Sequence, residues 1–298
     1  MILAGIETGG TTCRLALWRD GEVVRRAVVP TTSADGTIVT MAKFFAPGPQ
    51  VDAVGLAAFG PIDLRPGPGH GTLLATPKPG WSGAPLVARL REAIGAPVYA
   101  DTDVNAAALA EARWGAARGH GNVAYLTIGT GVGAGILHDG VAVHGLAHPE
   151  VGHLRVGKAA GDTFPGTCPY HGDCLEGLVS APAITARCGA APDEIDAATR
   201  ARVVPQIAAP VADGLRSLVY AAAPEVIVMG GGISRMEGLY DATRELLAQS
   251  LAAFPGLPEH QAPGFLVRPG LGDDAGLMGA LVLAGVDTEH PPRVAGVA

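Results

Sequence analysis

Residues 123–143 read VAYLTIGTGVGAGILHDGVAV: an apolar strand, a Gly/Thr turn, a second strand, an Asp-Gly pair and a short third strand. Val123 to Ile128 is an unbroken apolar run of the kind a buried strand requires. Gly129-Thr130-Gly131 turns the chain, Gly133 to Leu137 continues it, and Asp139-Gly140 is a two-residue hairpin signal before Val141 to Val143. The same order occurs about 120 residues earlier in LAGIETGGTTCRLALWRDGEVVRRAVV, residues 3–29. There Leu3 to Glu7 leads into Thr8-Gly9-Gly10-Thr11-Thr12, then Arg14 to Trp18, Asp20-Gly21, and Val23 to Val29. Hairpins are common, but the shared Thr-Gly turn at the same place in both copies predicts a duplicated domain.

Outward from these copies the chain alternates strands and helices. Val51 to Phe59 and Val98 to Ala100 read as strands, and the Ala-rich Val104 to Trp114 reads as a helix stopped by Gly115. Ala208 to Ala222 and Gly276 to Gly285 are further helices, and Glu225 to Met229 is a buried-type strand running into Gly230-Gly231-Gly232. This alternation is α/β, with a boundary near Gly115 to Gly121. The expected domains are 1–117, completed by a C-terminal helix near 275–288, and 118–274.

Composition removes several function classes. At 298 residues the chain can bury a large core; 48% of it is hydrophobic and 16% charged. The net charge of −7, with no basic cluster, argues against a nucleic-acid surface. No apolar run approaches the roughly 18 residues a membrane helix needs. Met1 to Gly10 contains Glu7 and lacks a basic n-region, so it is a poor signal peptide. Four cysteines, two of them in a metal-type loop, are cytoplasmic usage. An anionic ligand would have to be held locally, by backbone amides and a metal ion.

That loop is EVGHLRVGKAAGDTFPGTCPYHGDCLE, residues 150–176. It places His153, Cys168, His171 and Cys174 close in sequence, with C-x-x-H and H-x-x-C spacing. Two thiolates and two imidazoles suit tetrahedral zinc and leave no open position for a catalytic water, so the site reads as structural. Competing readings are a Cys168–Cys174 disulfide and an ordinary surface His171. Closure on an ion would draw Glu150 and Glu176 towards each other, a clip shaping a polar binding site.

Three Gly/Thr-rich turns follow apolar strands: Gly9 to Thr12, Gly129 to Gly133, and Gly230 to Ser234. Glycine lets backbone amides approach phosphate oxygens, and threonine adds donors. None is a P-loop or a G-x-G-x-x-G opening a helix. In Ala100-Asp101-Thr102-Asp103-Val104-Asn105, Asp103 immediately precedes the Ala-rich helix, where a plain N-cap is the bland reading, with Asp101 behind it. A rigid carboxylate there is also well placed to take a proton from a hydroxyl.

Together these residues resemble the ROK family of sugar kinases, within the actin-like, ribonuclease H-like ATPase fold. The resemblance rests on Gly9-Gly10-Thr11 after the strand, D-x-N-A-A-A-L-A-E from Asp103, and T-x-G-T-G-x-G-x-G at 127–135. E-x-G-H at 150–153, the C-x-x-H-x-x-C-L-E loop and the Gly-Gly-Gly strand end complete it. It implies a duplicated two-domain protein with an interdomain cleft that uses ATP and Mg²⁺, carries structural zinc, and works as a homodimer on a hexose. Asp103 would be the general base. Gly10, Thr11, Thr130, Gly131, Pro182 and Gly230, Gly231, Gly232, Ile233, Ser234 would hold ATP. Gly60, Asp63, Asp103, Glu150, His153 and Glu176 would hold the sugar, with His153 also serving the metal. The His171-containing loop is more similar to the family's bacterial fructokinases than to its glucokinases, which makes fructose the expected acceptor ahead of mannose or glucose. A non-catalytic, sugar-sensing relative is the rival; the absence of room for a helix-turn-helix before the first strand and the retention of Asp103 speak against it. Two positions depart from the pattern: Glu7 stands where the family has Asp, and Thr102 where it has Asn.

Overall fold

The computed structural model describes residues 1–76 and 78–294. The chain divides into two compact units: Met1–Gly119 with Gly140–Pro149 and Gly270–Ala298, and His120–Asp139 with Glu150–Pro269.

The first unit is built on a six-stranded sheet. Strands β1 (Ile2–Thr8), β2 (Thr12–Arg19) and β3 (Glu22–Pro30) form an antiparallel meander, while β4 (Ala53–Ala58) and β7 (Val98–Thr102) extend it in parallel from β1. The spatial order is β13-β3-β2-β1-β4-β7, with β13 (Arg293–Val294) at one edge. A small ribbon pairs β5 (Ile62–Asp63) with β6 (Thr72–Leu73), and β10 (Val141–Ala142) is the short strand after the second hairpin. Alternation along β1 decides what each face covers. Ala4 and Ile6 pack with Ile38 and Met41 of α1 (Ala34–Phe45) and Leu90 of α2 (Leu86–Ile94). Leu3 instead packs with Leu277 and Leu281 of α8 (Ala275–Leu283), beside Ala110 and Trp114 of α3 (Asp103–Trp114). Small residues set that second layer's depth. A Cβ on Gly55 would lie 1.7 Å from the Ala280 carbonyl oxygen, and one on Gly279 1.9 Å from the Ala106 carbonyl oxygen.

In the second unit, β8 (Val123–Ile128) and β9 (Val132–His138) are antiparallel, and β11 (Val226–Gly230) and β12 (Leu266–Val267) run parallel to β8 in the order β9-β8-β11-β12. The core joins Leu126 and Ile128 to Leu175 of α4 (Leu175–Val179), Ile184 of α5 (Ala181–Cys188), Ile207 and Leu215 of α6 (Ala197–Ala222) and Leu247 of α7 (Leu239–Leu251). Helix α6 is longer than the expected 208–222. It starts at Ala197, where the Asp196 side chain accepts the Thr199 N–H, and runs through Pro205 and Pro210. A helix this well buried tolerates two missing backbone donors.

The duplication is visible in the backbone. Asp20-Gly21 has φ of +52° and +94°, and Asp139-Gly140 has +50° and +75°. Both pairs therefore make the mirror-image turn that matches strand twist in a two-residue hairpin.

Candidate active site

In the first unit most of the chemistry-bearing residues sit at or just beyond the C-terminal ends of the adjacent parallel strands β1, β4 and β7. The register Glu7↔Ala57 and Ala58↔Thr102 brings those ends level. Beyond β1, the Gly9 N–H donates to the Thr12 carbonyl at 3.0 Å, Thr31 Oγ1 donates to the Gly9 carbonyl at 2.7 Å, and the Thr31 N–H donates to the Thr11 carbonyl at 2.9 Å. Gly10 and Thr11 stay exposed, and a Cβ on Gly10 would meet nothing within 4 Å. The turn leaves its backbone open at Gly10. Thr8 Oγ1 accepts the Phe59 N–H at 3.0 Å, tying this turn to the one beyond β4 that carries Gly60 and Asp63.

Beyond β7, Thr102 rather than Asp103 caps α3. Thr102 is extended (φ −67°, ψ 154°), and its Oγ1 accepts the Asn105 N–H at 3.1 Å. Asp103 is the first helical residue, one position later than an N-cap. Its Oδ1 accepts the Val104 N–H at 2.9 Å. Burial raises this carboxyl to about 6 against the opposing pull of the backbone N–H groups. It is therefore ionised at neutral pH yet more basic than an ordinary carboxylate. Buried Asp101 braces the junction: its Oδ1 accepts the Thr102 N–H at 2.7 Å and Asn105 Nδ2 at 2.7 Å, and lies 3.1 Å from His144 Nε2.

Asp63 is committed to a neighbour. Arg65 donates to it through its backbone N–H (3.0 Å), Nε (2.9 Å) and Nη2 (2.7 Å), which holds the carboxyl down to about 2. Gly60 lies under the ring of buried His148, where a Cβ would be 3.2 Å from Cε1, and His148 Nε2 accepts the Ile62 N–H at 3.3 Å. Glu7, near the end of β1, is lifted to about 7 by burial, which outweighs the Arg14 guanidinium 3.8 Å away. Its Oε2 is buried without a hydrogen-bond partner.

The second unit repeats this plan at the ends of parallel β8 and β11, in register at Thr127↔Gly230. Gly129, Thr130 and Gly131 turn after β8, with the Ala181 N–H donating to the Gly129 carbonyl at 2.8 Å; this seats Pro182, in the first turn of α5, beside them. Gly231 (φ +87°) runs so close to Ile128 that a Cβ would be 2.3 Å from its carbonyl oxygen, and Ser234 Oγ donates to the Gly231 carbonyl at 2.7 Å. Thus Thr130, Gly131, Pro182 and Gly230 to Ser234 form one cluster. Glu176 joins it by accepting the Val132 N–H at 3.0 Å. Glu150 precedes, and His153 ends, a single helical turn whose Gly152 lies against the Val132 carbonyl, 2.0 Å from where a Cβ would stand.

The loop beside it gathers His153, Cys168, His171 and Cys174, whose ligand atoms all lie within 4.8 Å of one another. Cys168 Sγ is 3.7 Å from His153 Nδ1 and 3.8 Å from His171 Nδ1, and Cys174 Sγ is 3.6 Å from His153 Nδ1. Bonds of about 2.3 Å to sulfur and 2.0–2.1 Å to nitrogen at tetrahedral angles put such atoms about 3.6 Å apart, so the donor set fits a tetrahedral ion. Both cysteines are free thiols. The loop is closed by reciprocal bonds between Cys168 and Gly172 (3.1 and 2.9 Å), with Gly172 at φ +65°.

Strand-ended glycine turns in each of two duplicated α/β units, one unit also carrying a carboxylate at a strand-to-helix junction, define an actin-like ATPase. Residues 3–286 match the ROK family, and the chain belongs to it. It is 41% identical over 288 residues to a fructokinase of Zymomonas mobilis, covering 94% of this chain and 95% of that one. Among solved structures it is similar to a ROK hexokinase from Thermus thermophilus (31% identity, TM-score 0.76, covering 95% and 98% of the two chains). It is also similar to a ROK glucokinase from Streptomyces griseus solved with glucose and AMPPNP (26% identity, TM-score 0.73, covering 95% and 99%).

His144 and His148 escape sequence reading. The only local signal is a pair of histidines four apart just before Glu150, and nothing in that spacing shows that one meets Asp101 and the other Ile62.

Proposed function

We propose that this protein is an ATP-dependent hexose kinase that phosphorylates D-fructose at its C6 hydroxyl. The observation that carries the reading is Asp103: a carboxylate fixed at a strand-to-helix junction, braced by Asp101, with its carboxyl raised to about 6. Phosphoryl transfer needs positioning and charge neutralisation more than covalent chemistry. Asp103 accepts the proton of the attacking hydroxyl. Gly10 and Thr11 present backbone and hydroxyl donors to the phosphates, while Thr130, Gly131, Pro182 and Gly230 to Ser234 hold the nucleotide. Glu150, His153 and Glu176 accept hydrogen bonds from sugar hydroxyls, and Gly60 shapes the wall near Asp103. The Asp63 carboxylate, occupied by Arg65, contributes to the sugar side by fixing its turn. Mg²⁺ bound with ATP supplies charge neutralisation, and Glu7 is the carboxylate nearest the first phosphate turn to orient it. His153, Cys168, His171 and Cys174 hold zinc, which in a four-ligand site contributes folding energy and fixes the loop before Glu176.

Fructose, rather than glucose or mannose, is supported by the fructokinase relative and by the His171-containing loop. The test is ADP release across a hexose panel on protein of measured zinc content. Fructose should give the highest kcat/KM, with mannose a poorer acceptor. A preference for glucose or an N-acetylhexosamine removes the fructose assignment. Silence with every hexose, alongside measurable sugar binding, favours the sugar-sensing reading.

A further inference from the structure

Lys78 is a cation that the roles above leave unused. It lies in the segment TPKPGW, residues 76–81, between β6 and α2. Its Nζ donates to the carbonyl of Gly10, in the first Gly/Thr turn. The partner is a neutral carbonyl, not a carboxylate. The neighbouring carbonyls of Gly9, Thr11 and Thr12 are each satisfied within the fold by Thr31 Oγ1, the Thr31 N–H and the Gly9 N–H. Lys78 therefore caps the remaining carbonyl of the Gly9–Thr12 turn, at an exposed residue where a Cβ would meet nothing.

The placement is built, not accidental to a loose side chain. Trp81, fully buried, anchors the segment: its Nε1 donates to the Thr32 carbonyl at 2.8 Å, and its ring packs edge-on against Phe59 at 5.1 Å between centroids. The Trp81 N–H donates to the Lys78 carbonyl at 3.3 Å, and Ser82 and Thr76 exchange two bonds of 3.2 Å across the loop base. Thr31, next to the residue that anchors Trp81, is the same residue that braces the phosphate turn. One scaffold thus carries both the turn and the cation.

The local charge is short of cations. Glu7 and Asp103 lie at the ends of β1 and β7, and Arg14, the other cation beside the turn, is engaged 3.8 Å from Glu7 and donates to the Asp273 carbonyl. A transferring phosphoryl group brings further negative charge to this place. From this we infer that Lys78 is a catalytic residue that moves from the Gly10 carbonyl onto a non-bridging oxygen of the transferring phosphoryl group; the inference rests on the kinase reading above. In that step the sugar oxygen forms the new P–O bond and the bond from the γ-phosphorus to the bridging oxygen breaks. ADP departs with that electron pair, and the hydroxyl proton goes to Asp103. Lys78 stays protonated throughout and exchanges a neutral acceptor for a charged one, which strengthens its hydrogen bond where charge develops.

The experiment compares wild type, Lys78→Met and Lys78→Arg. Methionine keeps most of the apolar stem without the charge, and the released Gly10 carbonyl is solvent-accessible, so the fold should be kept, as thermal unfolding will show. Removal of a charged group acting on the phosphoryl oxygens should lower kcat about 10²-fold or more. The KM for fructose should change by less than about threefold, because the contact forms only in the transition state. Lys78→Arg should recover most of the rate. Binding of ADP with fluoroaluminate and fructose, a charged planar stand-in for the phosphoryl group, should weaken at least about tenfold in Lys78→Met while ADP alone binds as in wild type. Turnover of Lys78→Met within about twofold of wild type, or a defect confined to the KM for sugar, overturns the inference while leaving the kinase standing. A wild-type protein that releases no ADP with any hexose defeats both together.

Discussion

Replacing Glu7 by glutamine should stabilise the protein at high pH while impairing its turnover. The Glu7 carboxyl titrates at about 7 in the folded protein against 4.5 ordinarily, chiefly because burial disfavours its charged form, with Arg14 opposing. Its Oε2 has no hydrogen-bond partner to repay the loss of water. A folded-state value raised above the unfolded one means that the stability present below about pH 4.5 is lost as pH rises through about 7. The shift of roughly 2.5 units, at 1.36 kcal/mol per unit, amounts to about 3 kcal/mol at pH 8. Glutamine resembles the protonated carboxyl in shape and charge, so the variant escapes that cost. Urea unfolding of both proteins without nucleotide at pH 5, 6, 7 and 8 measures it. The stability difference should be small at pH 5, grow through pH 6 and 7, and approach about 3 kcal/mol at pH 8. A difference that is flat across this range, or a variant less stable than wild type at pH 8, refutes the assignment of the penalty to a buried Glu7 carboxylate. Mg²⁺ with ATP should then stabilise wild type more than the variant, because the ion compensates a charge the variant lacks.

Asp103→Asn keeps the shape and the acceptor for the Val104 N–H but cannot take a proton; kcat should fall at least about 10²-fold with fructose binding retained by calorimetry. Wild-type kcat should itself decline as pH drops through about 6, where the Asp103 carboxylate is protonated, and near-normal turnover of the variant removes Asp103 from the mechanism. Cys174→Ser should lower the melting temperature, zinc content and activity together, since Cys174 immediately precedes the helix that carries Glu176; zinc loss with sugar affinity intact would show that the ion does not shape the sugar site.

The duplicated meander was readable because its information is local. Asp-Gly at both hairpins specifies positive φ at two successive residues, and the apolar runs on either side specify buried strands. The Ala-rich α3 was readable for the same reason, although its cap was misplaced by one residue: Thr102 and Asp103 are both good capping types, and only the geometry shows that the Thr102 hydroxyl reaches the Asn105 N–H. Helices α1, α2 and α7 gave weaker signals. α2 has no side-chain cap, α7 has Gly238 as its N-cap, and α1 is capped by Ser33 in a run of turn-type residues, TTSADG, that reads equally well as loop.

At the candidate site the division follows contact range. The four Cys and His side chains lie within 22 residues, and their short spacing accounts for potential ligand atoms gathered within 4.8 Å of one another. His148 meets Ile62 across 86 positions and His144 meets Asp101 across 43, so neither partner is implied by neighbouring sequence. Glu7 shows what such distance hides. As a residue it reads only as a departure from the family's aspartate, one methylene too long for its place. In the fold, helix α8 presents Gly276 opposite it, where a Cβ would lie 2.4 Å from Glu7 Oε1. The Glu7 carboxylate occupies space left by the absent side chain of a glycine 269 positions away, so the two residues that share that space are separated by nearly the whole chain. Packing at this density leaves no slack for the extra methylene without that gap. Glu7 and Gly276 thus fit against each other sterically, and sequence pattern alone reads Gly276 as an ordinary helix residue.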